Sequence, residues 1–253
     1  MYAAERQQRI LERAQLDGRV EVTLLADHLD VTTETVRRDL AVLEQQGLVR
    51  RVHGGALPTE RSVPELTLTS RIGQQAEAKM RIATRALDEL PEGGTVLLDS
   101  GSTTLALAGL IPADAHLTVV TNNASIVAAL AGYENLTLLL IGGRVRTVTA
   151  AAVGPWATAA LAGLTVDVAF LGTNGFDADH GLSTPDQDEA AVKRAMLDAA
   201  RTRILLADSS KLGAIHLQRF ARADELHTII TDSDADEDAV EALRAAGPKV
   251  VTA

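Results

Sequence analysis

Residues 31–56 read VTTETVRRDLAVLEQQGLVRRVHGGA. Thr32 and Thr33 are N-cap residue types, able to accept a hydrogen bond from a backbone donor one turn on. Val36, Leu40 and Leu43 then recur at spacings of four and three, which gives a helix one apolar face. Glu34, Arg37, Arg38 and Ala41 point the other way. Gly47 is placed to stop the helix in a left-handed residue. Leu48 to His53 has the pattern of a short strand carrying Arg50 and Arg51, and Gly54-Gly55 supplies a hairpin turn.

The preceding residues complete a known order. Val22, Leu25, Ala26 and Leu29 fall at i, i+3, i+4 and i+7, so 23–29 is expected to be a short amphipathic helix. Asp30-Val31 is a tight connection into the next helix. Ile10, Leu11 and Ala14 imply a supporting helix over about 4–16, stopped by Asp17-Gly18. A charged helix face alone fits a small helical bundle with a solvated side. Helix, helix, turn, helix and basic hairpin in that order is the grammar of a winged helix-turn-helix, whose second helix enters a major groove.

These residues resemble the winged helix of the DeoR family of bacterial transcriptional repressors. The resemblance spans 5–56 and rests on Arg6, Ile10, Leu11, Leu25, Ala26, Val31, Thr35 to Leu40 (TVRRDL), Gly47, Arg51 and His53 to Ala56 (HGGA). Thr32 stands where the family usually has serine, and either residue can cap.

Composition agrees with a second, larger domain. The chain has 253 residues, more than a small DNA-binding unit needs. A hydrophobic content of 46% can fill a core, but aromatics make up only 2%, so Ala, Val and Leu must do the packing. There is no cysteine, which excludes disulfides and thiolate zinc sites and agrees with a cytoplasmic location. No apolar run reaches membrane-spanning length, and the opening MYAAERQQRI lacks a signal-peptide apolar region. A net charge of −10 looks wrong for a nucleic-acid binder until it is divided. Residues 1–57 hold 8 Lys and Arg against 9 Asp and Glu, whereas the remainder holds 16 against 25. DNA affinity would therefore rest on a local basic surface of Arg37, Arg38, Arg50 and Arg51.

We divide the chain into a winged helix over 1–57, a linker over 58–75 containing Pro58 and Pro64 and room for a short helical turn, and an effector domain over 76–253. From 76 on, helical and strand-like segments alternate, which implies an α/β fold with a mostly parallel sheet covered on both faces. Ligands in such folds bind outside the carboxyl ends of the strands. Four loops there are polar and glycine-bearing: Asp99 to Thr104 (DSGSTT), Thr121-Asn122-Asn123, Gly142-Gly143-Arg144 and Gly172 to Gly175 (GTNG). Any one of them reads as an ordinary capped turn. Four at successive strand ends point to a shared site. The first has glycine, hydroxyls and opening helical N–H groups suited to a phosphate, but it is neither a Walker A loop nor GxGxxG. Glu189 and Lys193 are spaced i, i+4 on a helix and read equally as a surface ion pair or as site residues. Lys211, in Asp208-Ser209-Ser210-Lys211 after a strand, is placed to neutralise a phosphate.

These loops extend the resemblance to the family's effector domain, which is similar in fold to pentose-phosphate isomerases and binds phosphorylated sugars as inducers. The motifs are DSGSTT (99–104), TNN (121–123), GGR (142–144), FLGTNG (170–175), GLST (181–184), EAAVKRAM (189–196) and ADSSKLG (207–213). The resemblance carries effector contacts onto Asp99, Ser100, Gly101, Ser102, Thr103, Thr121, Asn122, Gly142, Gly143, Asn174, Glu189, Lys193, Asp208 and Lys211. The opening MYAAER, the ELTLTSR stretch and HGLSTPDQDEAA look nearest to repressors of sugar-uptake phosphotransferase genes, which respond to sugar phosphates such as fructose phosphates.

The expected function is a DNA-binding repressor released from its operator by a phosphorylated sugar. Thr33, Glu34, Thr35, Arg37 and Arg38 would reach base edges or phosphates; Arg50, Arg51 and His53 would touch backbone or minor groove. One helix reads few base pairs, so the protein is expected to be a dimer or tetramer on double-stranded DNA. Two alternatives remain open. Asp99, Glu189, Asp208 and Lys211 could serve an isomerase acid/base reaction, although a shared fold does not transfer a reaction. The C-terminal domain could instead only oligomerise an architectural DNA binder. No cofactor, metal or membrane is implied: the six histidines lack metal-ligand spacing and no serine lies in a G-x-S-x-G elbow. The lone Trp156 is expected to serve packing rather than a stacking platform.

Overall fold

A computed structural model describes residues 6–7, 9–11, 13–14, 19–45, 48–52, 54–58 and 65–253. The chain divides into two compact units, Met1–Leu66 and Thr67–Ala253. Gly47, His53, Asp17, Gly18 and Pro64, which carried sequence expectations, lie outside the described residues.

In the first unit the described residues between 6 and 14 are helical, and Ile10, Leu11 and Ala14 are buried. Strand β1 (Val20–Glu21) leads into α1 (Val22–Leu29), one residue longer than its apolar spacing implied. Asp30 turns the chain in the left-handed region (φ 51°, ψ 52°), a conformation its short polar side chain tolerates. Helix α2 (Thr33–Gln45) follows, capped by the Thr32 hydroxyl, which accepts from the Thr35 N–H at 3.2 Å. Val36, Leu40 and Leu43 are buried as expected, in one cluster with the α1 residues Val22, Leu25, Ala26 and Leu29. Strands β2 (Val49–Val52) and β3 (Gly55–Pro58) pair antiparallel through Val52↔Gly55. The wing is three-stranded rather than a plain hairpin, because β1 pairs with the other edge of β3. Gly55 is required there: a Cβ would stand 1.9 Å from the Val20 carbonyl oxygen.

Asp39 is the exception to the apolar face of α2. It is buried, and it accepts from Arg6 Nε at 2.5 Å and Gln7 Nε2 at 3.0 Å. This bond fixes α2 against the N-terminal helical residues. Breaking a buried pair by removing one partner leaves the other charge stranded. Asp39→Ala is expected to destabilise this unit by about 3 kcal/mol. The measurement is urea unfolding of the full chain followed by far-ultraviolet circular dichroism. An unchanged midpoint would mean that Arg6 and Gln7 find water instead.

The second unit starts earlier than the boundary at 76. Residues 68–73, expected within a linker, form helix α3 (Leu68–Gly73), capped by Thr67, whose hydroxyl accepts from Ser70 N–H at 3.1 Å. The two prolines masked its period from view, since the helix begins only after them. Next come α4 (Ala76–Ala86), β4 (Gly93–Leu98), α5 (Ser102–Ala108), β5 (His116–Thr121), α6 (Ala124–Leu130) and β6 (Thr137–Leu140). After a short ladder of β7 (Arg144–Arg146) and β8 (Ala151–Val153) come α7 (Pro155–Ala162) and β9 (Val166–Leu171). A second small sheet joins β10 (Gly175–Asp177) and β11 (Gly181–Thr184) to β13 (Gln218–Ala221). Around these lie α8 (Gln187–Ala199), β12 (Ala200–Leu206), β14 (Thr228–Thr231), α9 (Glu237–Ala245) and β15 (Lys249–Thr252).

Seven strands form one parallel sheet in the order β15-β14-β12-β9-β4-β5-β6. Successive strand residues face opposite sides. Val96, Leu98, Phe170 and Ile204 therefore pack under α4, α5 and α6. Leu97, Ala169, Leu171 and Leu205 pack against α7, α8 and α9 on the other side. The first strand, β4, sits mid-sheet, with β5 and β6 on one side and β9 onward on the other. Connections leave β4 and β9 in opposite directions, and that switch point opens a crevice at their carboxyl ends.

Candidate functional site

Of the residues expected to face DNA, those within the described residues lie on α2 and β2. Glu34, Arg37 and Arg38 are exposed, and Thr33 and Thr35 are half-buried at the helix start. Arg37 stands 3.7 Å from Glu34, a surface pair of small value that DNA can displace. Arg51 is more firmly held: Glu44 takes its Nε at 3.1 Å and its backbone N–H at 3.0 Å. Arg51 thus ties the wing to the end of α2. Alternation along β2 turns Arg50 away from Arg51. Arg19, Arg37 and Arg51 line one groove between α2 and the wing, and Arg19 was not anticipated.

In the second unit the switch-point crevice collects most of the expected effector residues. It is lined by Ser100 to Thr104, Gly172 to Asn174, Glu189, Lys193, Asp208 and Lys211, together with Arg71 and Lys79. Asp99 does not line it but lies buried just beneath. One Asp99 oxygen accepts from Gly172 N–H at 3.0 Å and from Lys193 Nζ, which also donates to the Gly172 carbonyl at 2.9 Å. Lys193 therefore clasps the ends of β4 and β9 together, and the buried Glu189–Lys193 pair is not a surface ion pair. Burial pushes the Glu189 carboxyl up, but Lys193, the Thr149 hydroxyl and Arg146 (2.6 Å) outweigh it and hold the group below the usual carboxylate range.

Other hydroxyls are spent on the loop itself. Ser100 Oγ donates to the Thr149 carbonyl at 2.8 Å and accepts from Asn123 Nδ2 at 2.8 Å. Thr104 Oγ1 donates to the Asp99 carbonyl at 2.6 Å. Ser102 and Thr103 line the crevice with no side-chain partner among the described residues. Asn174 lines it too, its amide oxygen accepting from Thr184 Oγ1 at 3.0 Å.

Besides Asp99, four expected contacts do not line this crevice. Thr121 is buried, and its hydroxyl accepts from Asn123 N–H at 3.1 Å. Asn122 is buried one layer below, with Asp99, Lys193 and Val192 around a small void, and donates to the Ala152 carbonyl at 3.1 Å. Gly142 is exposed, and Gly143 serves packing: a Cβ there would stand 2.6 Å from the Val153 carbonyl oxygen. The loop after β5 meets the β4 loop beneath the crevice, where Asn123 Nδ2 donates to Ser100 Oγ, so its residues stay under the lining. Trp156, expected to serve packing, is 81% exposed.

Arg71 and Lys79 come from the segment read as linker and from the next helix. Arg71 Nε and Nη2 are buried without a hydrogen-bond partner. Lys79 is buried, donates to the Arg71 carbonyl at 2.7 Å and to the Gln74 carbonyl, and stands 3.8 Å from Asp208. Burial lowers its pKa from 10.5 to about 8, against the pull of Asp208, and Lys211 and Arg71 add to the decrease. No periodicity marks these two residues; only the fold places them beside Lys211. Arg71 and Lys211 have no carboxylate partner among the described residues, so this end of the crevice is cationic and suits an anion.

Lys79 gives the site a pH signature. An anion in contact raises its pKa, so above about pH 8 binding must take up a proton. Affinity for a phosphorylated ligand is expected to fall by up to about tenfold per pH unit between pH 8 and 9.5. Titration calorimetry at constant ionic strength reads this, and a flat profile would remove Lys79 from the site. The free protein should show the opposite trend. Unfolded Lys79 keeps its proton to 10.5, so between about 8 and 10.5 the unfolded chain binds more protons and this group's contribution to stability rises with pH.

Among the described residues no three His, Cys, Asp or Glu are grouped to hold a metal, and no helix is long and apolar enough to cross a membrane. Comparison with known proteins supplies the family. Residues 6–61 match the DeoR-like helix-turn-helix domain, and 74–233 the DeoR C terminal sensor domain. The HTH-type transcriptional regulator GlpR of Haloferax volcanii is 41% identical over 99% of this chain and 98% of its own. The putative aga operon transcriptional repressor of Escherichia coli O157:H7 is 33% identical over 98% and 93%. Among solved structures, a ribose-5-phosphate isomerase in complex with phospho-erythronic acid aligns over 54% of each chain at 17% identity, with a TM-score of 0.40, too slight a likeness to argue from.

Proposed function

Since the chain belongs to the DeoR family of transcriptional regulators, we propose that it is a repressor of sugar-uptake or catabolic genes, released from its operator by a phosphorylated sugar, with a fructose phosphate as first candidate. The observation that carries the effector half is the buried, unpartnered fork of Arg71 beside Lys79 and Lys211. A guanidinium fork matches a phosphate bidentately, and leaving it buried and unpaired is costly. Ser102, Thr103 and Asn174 then offer hydroxyl and amide groups to the sugar.

Binding is a better reading than catalysis. An isomerase base must exchange a proton with a substrate carbon. Asp99 and Glu189 are instead saturated by Lys193, the Gly172 N–H, Thr149 and Arg146, and Glu189 is held anionic.

Helix α3 supplies a route between sensing and reading. It carries Arg71 and is the first element of the sensor unit after the DNA-reading unit in the chain. Its Leu68 N–H donates to the Val148 carbonyl at 2.7 Å, on the loop whose Thr149 holds Ser100 and Glu189. A phosphate engaging Arg71 thus acts on the segment from which the chain leaves for the wing. A ligand favouring the weak-binding arrangement releases DNA by reciprocal coupling.

The test is melting temperature of the purified protein against sugar phosphates, glycerol phosphate and the unphosphorylated parents, followed by operator release. A ligand at a hundred times Kd stabilises the folded state by about 2.7 kcal/mol. A shift with one phosphate and none with its parent establishes the sensor site; no shift across the panel favours a domain that only oligomerises.

A further inference from the structure

Most charges of the sensor crevice cancel in pairs, in its lining or directly beneath it. Lys79 stands on Asp208 at 3.8 Å, Lys193 on Asp99, and Arg146 on Glu189 at 2.6 Å. All three carboxylates are buried, and so are Lys79 and Lys193. Two cations are left over. Arg71 presents a buried Nε and Nη2 without a hydrogen-bond partner, and Lys211 has no carboxylate partner among the described residues. Two open positive charges match one phosphate monoester, which carries about −1.5 to −2 near pH 7.

The open charges lie together. Arg71 and Lys211 both act on Lys79, helping to lower its pKa, whereas Glu189 answers to Lys193 and Arg146. Away from the cationic cluster the lining is neutral at Ser102, Thr103, Thr173 and Asn174, and anionic at Glu189. A second phosphate would meet Glu189 there with no open cation to receive it. It could recruit Lys193 only by taking it from Asp99, which would strand a buried carboxylate. A sugar hydroxyl is the opposite case, since it can donate to a carboxylate.

We propose that the effector carries a single phosphate, and that a second phosphate on the same sugar is rejected by the Glu189 side of the crevice. The inference rests on the sensor reading above and narrows its ligand class to monophosphates. Discrimination of this kind comes from a repulsive element set against the wrong ligand as much as from attraction to the right one.

The experiment is titration calorimetry of the full chain at neutral pH and constant ionic strength. The probes are fructose 1-phosphate, fructose 6-phosphate and fructose 1,6-bisphosphate, the corresponding glucose compounds, and inorganic phosphate. A monophosphate is expected to bind at least about tenfold more tightly than the bisphosphate of the same sugar. Glu189→Gln keeps the shape and removes the repelling charge, so the gap between the two should shrink several-fold, with an unchanged circular dichroism spectrum. The comparison on the unaltered chain needs no variant and stands by itself. A bisphosphate that binds as tightly as its monophosphate, or more tightly, overturns the proposal and leaves the sensor reading standing. A folded Glu189→Gln protein that keeps the full gap overturns it as well. Binding by none of the compounds removes the sensor reading and this inference with it.

Discussion

Arg38→Ala is expected to abolish operator binding while leaving the response to sugar phosphate intact. Arg38 is exposed on α2, two turns of buried Val36, Leu40 and Leu43 fixing the helix behind it. It has no ion pair among the described residues, in contrast to Arg37 beside Glu34 and Arg51 on Glu44. Its fork is therefore free for a guanine edge or a phosphate without first breaking a bond. One bidentate base contact is worth about 1–3 kcal/mol, and it counts once per half-site. On a paired site the loss is about 2–6 kcal/mol, or about 30-fold to more than 10⁴-fold in affinity. Arg51→Ala should act differently, lowering affinity by loosening the wing from Glu44. Electrophoretic mobility at fixed salt measures both. If Arg38→Ala also erases the thermal shift with sugar phosphate, the two units do not have separate roles.

The sequence made the DNA-reading unit legible because its signals are local. Caps, 3.6-residue spacing and a glycine turn lie within 26 consecutive residues, and α2 and the wing follow them. Its third strand was invisible, since Val20–Glu21 is too short to show alternation. In the sensor unit, the alternation of apolar runs with amphipathic ones exposed the parallel sheet, but not the order of its strands. That order decides which polar loops share a crevice. Loops after β4, β9 and β12 line the crevice; the loop after β5 is buried beneath it and the loop after β6 lies outside it, so Thr121, Asn122, Gly142 and Gly143 look like site residues and do not line it. The cationic end failed in the other direction. Arg71 lies in a helix behind two prolines, and Lys79 is a lysine in an amphipathic helix, which periodicity assigns to solvent.

Arg71 is also where stability and sensing should part. Arg71→Ala removes a guanidinium whose Nε and Nη2 are buried without a partner, and whose charge helps to push the Lys79 pKa down. Both effects cost the ligand-free protein, by about 1–3 kcal/mol for an unsatisfied buried group. The ligand-free variant is therefore expected to melt no lower than the unaltered protein. Its response to sugar phosphate should collapse. A bidentate, charge-assisted contact is worth about 3 kcal/mol, so effector affinity falls by about 100-fold or more. Operator binding, which Arg71 does not touch, survives, and the variant represses without release. Arg71→Lys keeps a charge and loses the fork, and should recover only part of the affinity. Calorimetry with the phosphate found in the panel, beside a melting curve without it, separates the alternatives. A purely structural Arg71 would give the reverse pattern, lower melting with unchanged affinity. The buried fork would then be packing, and the phosphate end of the crevice would rest on Lys79 and Lys211 alone.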